Sequence, residues 1–253
     1  MDDLELPESL ADGPEDASGE VKSSGAAVVD PFADDPTYRA AVVDLLGALA
    51  YGELTAFSRL AADAEMAPNQ PKKAALARVA VAEFHHYEAL TGRLSEMGVD
   101  PDVAMEPFIA PIDGFHDRTK PNSWLESLVK AYVGDGIATD FYREISAYVD
   151  PSTQTLVRSV LQDVGQAEFA VKTVREAIAA DPTVGGRLAL WGRRLVGEAL
   201  SQSQRVAVER DDLASLLVGG HNRPGADLAE LGRMFVRLTD EHTRRMAQLG
   251  LNA

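Results

Sequence analysis

Glu53, Glu83, His86, Asp135 and Asp163 fall on or beside the apolar stripes of four helical segments. Glu53 interrupts the series Val42, Leu46, Leu49, Phe57, Leu60, and Glu83 with His86 interrupts Leu76, Val79, Leu90, Leu94. Asp135 lies in the series Leu125, Leu128, Tyr132, Tyr142, and Asp163 borders Leu156, Val160, Val164, Val171. A lone carboxylate is expensive to bury, because nothing in an apolar core replaces its hydration. Four carboxylates facing one another around a cation remove that cost. The imidazole of His86, three residues after Glu83, adds a nitrogen donor on the same helix face. The sequence has no cysteine, so any metal must rest on oxygen and imidazole donors. Two plainer readings stay open: a hydrogen-bonded acid cluster without metal, and boundary residues of amphipathic helices.

Such chemistry requires the four segments to bring their polar positions to one height. Glu53 and Glu83 are each 15 positions from Pro68, and Asp135 and Asp163 are each 14 from Val149. At about 1.5 Å per residue, both pairs lie roughly 21–23 Å from their turns. The segments follow from local signals. Asp35-Pro36 reads as a cap and first helical position, and Pro68 to Pro71 closes the first helix near residue 67. A second helix ends at Met97-Gly98, and residues 98–121 are a long connection punctuated by proline. A third helix runs from Asn122 or Ser123 to about Val149, and a fourth from Asp150-Pro151 to about Ala180. A fifth reaches about Val218 and a sixth fills roughly 226–249. Apolar residues recur at three and four rather than at two, so no strand is predicted. The fold class is therefore all-α: an antiparallel four-helix bundle with a long crossover between helices two and three, plus two additional C-terminal helices.

Residues 1–34 are predicted to be a disordered acidic arm, dispensable for folding, with one helical domain over 35–253 (core 35–180, extension 181–253). Eleven of the chain's 40 acids, against one lysine, fall within residues 1–36. That leaves a mildly acidic body, a poor default for phosphate binding. The N-terminus has neither a basic start nor an apolar run, and no uncharged apolar stretch approaches the ~20 residues that span a bilayer. The reading is a cytoplasmic protein without a membrane partner.

The order Glu53, Glu83-Phe-His-His86, Asp135 and the segment Gln-Asp-Val-Gly-Gln-Ala-Glu-Phe at 162–169 resembles the ferritin-like superfamily. Within it, the chain resembles the methylthio-isopentenyl-adenosine tRNA hydroxylase-like group, over about residues 36–180. The segment from Arg187 to Val206 also looks like that group's extension. The resemblance implies a non-haem di-iron centre that activates dioxygen to hydroxylate an unactivated carbon, with manganese as an alternative metal. By position, Glu53, Glu83 and His86 would ligate one iron, Asp135 would bridge or ligate, and helix four would hold the second. There the family's Glu-x-x-His stands as Asp163-Val-Gly-Gln166, a shorter carboxylate and a weak ligand, so a single iron is the other expectation. The implied partners are dioxygen and either a tRNA or a small-molecule substrate, with a homodimer as one open arrangement. A tRNA substrate would need a basic surface, for which Arg187, Arg193, Arg194, Arg205, Arg233, Arg237, Arg244 and Arg245 are candidates. The alternative function is a non-catalytic ferritin-like protein with a degenerate or single-metal site, in binding or assembly.

Overall fold

The computed structural model describes residues 35–161, 166–218 and 226–253, apart from the side chains of Gln166 and Leu228, and these residues form helices with no strand among them. Helix α1 (Pro36–Asp63) starts where the Asp35 carboxylate accepts from the N–H groups of Thr37 and Tyr38. A 3-10 turn (Ala64–Met66) and the Asn69 cap reverse the chain into α2 (Gln70–Glu96). Gly98, at φ 71°, supplies the left-handed residue that closes α2. Helix α1 with its turn is long and apolar enough to cross a bilayer, but 56% of its apolar window is buried inside the fold.

The connection after α2 is not the irregular segment expected. It contains α3 (Pro101–Arg118), with Pro107 and Pro111 inside it. An internal proline costs about 3 kcal/mol because it removes a hydrogen bond and crowds the preceding turn. Here the cost is offset by Asp100 capping, Pro101 at the start, and burial of Ala104, Met105, Phe108 and Pro111. Helix α3 packs on α1 and α7. It meets α1 at Gly47, where a Cβ would stand 2.2 Å from the Ala104 carbonyl oxygen. No residue larger than glycine allows that approach.

The second hairpin begins with α4 (Trp124–Ser146), capped by Ser123. The expected single fourth helix is seen as α5 (Pro151–Val160) and α6 (Gln166–Ala180), with 162–165 outside the described residues. The extension comprises α7 (Thr183–Glu209), α8 (Asp211–Val218) and α9 (Leu228–Gln248). The expected continuous fifth helix breaks at Arg210, φ −128° and ψ 81°. The reason is a tertiary bond: the Arg210 guanidinium donates to both oxygens of buried Asp44 on α1, Nε to Oδ2 at 2.9 Å, and so clamps the start of α8 to the bundle. The architecture is the all-α bundle expected, with its extension folded back over α1 and α4.

The apolar core divides in two. One part gathers Leu60, Leu76, Val79, Leu128, Val133, Val174, Leu188 and Leu195. The other gathers Leu45, Leu46, Leu49, Leu90, Leu94, Phe108, Ile145, Val157 and Val160. The division falls at the level of Glu53 on α1 and of Glu83 and His86 on α2.

Asp150 ties the two hairpins together. Its carboxylate accepts from Tyr38 Oη of α1 at 2.8 Å and from the N–H groups of Ser152 and Thr153 at 2.9 Å. Burial pushes this carboxyl up, but the bonds from Ser152, Thr153 and Tyr38 outweigh burial and hold it at about 2. A folded pKa below the unfolded value of about 3.9 means that stabilisation is complete above that value and lost as pH falls toward 2. Urea unfolding of Asp150→Asn beside the parent should show a deficit at pH 6 that shrinks steadily as pH drops from 5 toward 2. A deficit independent of pH would show that the carboxylate charge contributes nothing.

Candidate metal centre

Glu53 lies on α1 where the Val42–Leu60 stripe passes between the two core clusters, and Glu83 and His86 occupy the matching turn of α2. The tight hairpin sets them side by side. One donor atom from each of the three lies within 4.8 Å of the others. His86 Nδ1 is 3.4 Å from Glu53 Oε2 and 3.7 Å from Glu83 Oε2. Glu83 is 4% exposed. Both Glu53 Oε2 and His86 Nδ1 are buried without a hydrogen-bond partner among the described residues. Buried polar atoms normally find partners, and an unmet acceptor beside an unmet nitrogen is the pattern a bound ion satisfies. The donor set, two carboxylates and one imidazole, fits iron or manganese.

The electrostatics agree. Burial, then the neighbouring Glu83, pushes the Glu53 carboxyl well above the usual carboxylate range. The two carboxylates hold the His86 imidazole up at about 10. Without a cation His86 therefore keeps its proton at neutral pH and Glu53 is held toward its neutral form; a metal would displace those protons and balance both carboxylates.

The other expected ligands are placed differently. Asp135 is exposed and outside the three-residue group, although it lines the same space as Glu53 and Glu83. Asp163 and the side chain of Gln166 lie outside the described residues. Asp140, which its helical angle places on the surface, is buried at 7% and receives Arg245 Nη1 of α9 at 2.6 Å. Helix α9 crosses α4 there, and nothing in the α4 stripe announces it. His242 of α9 is buried with neither ring nitrogen hydrogen-bonded among the described residues, and it is not a member of the three-residue group. His85 is exposed.

Two cavities meet at the acids. One, of about 280 Å³, lies between α1, α3, α4, α7 and α8 and is walled mainly by apolar side chains, among them Leu49, Phe108, Ile112, Phe115, Ile137 and Leu213. The other, about 300 Å³, lies between α2, α4, α6 and α9, with His86, Asp140, Arg143 and Arg245 in its wall. Tyr142 lines the first, and burial followed by the Glu53 charge pushes its phenol upward, so it stays a proton donor. Residues that sequence reasoning missed also line this cavity: Arg59, His116, Lys130 and Gln202. The available signal was Lys130, a charge inside the apolar run Ser127-Leu-Val-Lys-Ala-Tyr-Val133.

A family model described as "Ferritin-like domain, actinomycetes" matches residues 36–220. No curated protein matches the chain.

Proposed function

The chain belongs to this ferritin-like family, and from that footing we propose an iron-dependent oxidoreductase of the hydroxylase type, acting on a small apolar substrate. The observation that carries this reading is that Glu53 and Glu83 of the Glu53–Glu83–His86 group form part of the wall of the apolar cavity. Iron held there would supply dioxygen activation for oxidation of an unactivated carbon, with electrons from an external reductant. The chain's own part is positional. Glu53, Glu83 and His86 would hold the ion, with Asp135 on the wall of the same cavity. Phe108, Ile112 and Leu213 keep water from the reacting carbon and hold the substrate against the acids. The Tyr142 hydroxyl, kept protonated beside the cavity, is able to donate a hydrogen bond to a ligand there.

Action on tRNA has less support. Arg205, Arg233, Arg237 and Arg245 are engaged in ion pairs with Glu209, Glu230, Glu144 and Asp140, at 2.6 to 2.9 Å, and Arg244 pairs with Glu241. These pairs neutralise five of the eight arginines that phosphates would need, leaving Arg187, Arg193 and Arg194 of α7 outside them. The deciding experiment is anaerobic loading with Fe(II), followed by oxygen-electrode recording on admission of air-saturated buffer. Rapid uptake at least tenfold above free Fe(II) is expected. Stable iron binding without uptake would favour the non-catalytic alternative.

A further inference from the structure

We propose that the apolar cavity binds an aliphatic carboxylate, its head beside Lys130, His116 and Gln202 and its chain running along α1 toward Glu53. The assignment takes from the metal-centre reading only the direction in which the chain points.

The cavity is elongated. Its lining runs along α1 from Ala48 to Asp63 and along α4 from Lys130 to Ile145. Fifteen residues of helix correspond to about 22 Å. Polar groups are concentrated at the Asp63 and Lys130 end and around the acids, and the walls between, including Leu60, Phe115, Ala131 and Ile137, offer a ligand no hydrogen bond. A ligand filling this space is apolar along its body and polar at one terminus.

The polar end is cationic and incompletely paired. Lys130 is 8% exposed; its Nζ donates to the Thr119 carbonyl at 2.8 Å and makes no ion pair among the described residues. An ammonium has three donors, and a buried cation without a counter-ion is costly. His116 Nδ1 and Gln202 Oε1 are buried with no partner among the described residues. Burial, then the charges of Lys130 and Arg59, keeps the His116 imidazole neutral, at about 3, so one ring nitrogen carries a hydrogen to donate. The Gln202 amide can present its NH₂ by rotation. Arg59 and Lys120 add positive charge to this end, against the two carboxylates of Asp63 and Asp117. One anionic, two-oxygen head satisfies the ammonium, the imidazole N–H and the amide together, and restores neutrality.

The test is calorimetric titration of the full chain, metal-free, with dodecanoate, dodecanol and dodecylamine. Dodecanoate should bind saturably, one per chain, at least tenfold more tightly than either analogue. Lys130→Met should weaken it tenfold or more, and Lys130→Arg should restore most of the affinity. If Lys130→Met does not fold, Gln202→Leu carries the test, with an expected severalfold loss. Equal binding of the amine or the alcohol, or unchanged affinity in the variants, would overturn the assignment. Working without metal separates the two readings. Iron uptake with no carboxylate selectivity sinks this inference alone, whereas carboxylate binding with no iron uptake sinks the proposed function alone.

Discussion

Glu83→Ala is expected to abolish tight iron binding while leaving the helices in place. Glu83 is the most deeply buried of the three clustered donors. Its removal leaves one carboxylate and one imidazole, too few for a first-row ion to hold against water. Altering a group that merely orients a ligand already costs roughly 10–100-fold in affinity, so losing a ligand should cost on the order of a hundredfold or more. The stability change of the metal-free protein is expected to be small or favourable. Burial and Glu83 together push the Glu53 carboxyl up, and removing Glu83 relieves part of that conflict. Elemental analysis after dialysis, with thermal melting by circular dichroism, reads both effects. Parental iron content in a folded Glu83→Ala protein would remove this group from the metal site.

The elements and the clustered donors differ in how plainly the sequence carries them. Helices α1, α2 and α4 are legible because capping residues and prolines mark their starts, as at Asp35-Pro36, Asn69 with Pro71 and Ser123. The juxtaposition of Glu53 with Glu83 and His86 is legible for a related reason: a tight hairpin converts equal distance from a turn into proximity. What was not legible depends on contacts between distant segments. Helix α3 is hidden by Pro107 and Pro111, whose local cost is offset only once Gly47 admits it against α1. The break at Arg210 is set by Asp44, 166 positions earlier. Asp44 also shows that an acid on a buried helix face need not serve a metal. Asp140 and Lys130 are not legible because their surroundings come from α9 and from the end of α3.

A single metal per chain is expected to bind tightly, with any second at least tenfold weaker. The two halves of the bundle offer unequal donors. The first hairpin brings two carboxylates and an imidazole within 4.8 Å of one another on well-capped helices. On the second, Asp135 is exposed and outside that group, and the fourth segment carries Asp163 and Gln166 where a symmetric site would place a glutamate and a histidine. A second cation a few ångströms from the first is repelled by it, so it needs more negative charge from its ligands than the first. A neutral amide supplies none, and Asp135 cannot be given wholly to both ions. Titration with Fe(II) under argon, or with Mn(II) followed by electron paramagnetic resonance, should therefore show one strong equivalent and then a shallow rise. Two equally tight equivalents that survive dialysis would refute the inequality, and would mean that Asp135 and the 162–166 segment close around a second ion as strongly as Glu83 and His86 do around the first.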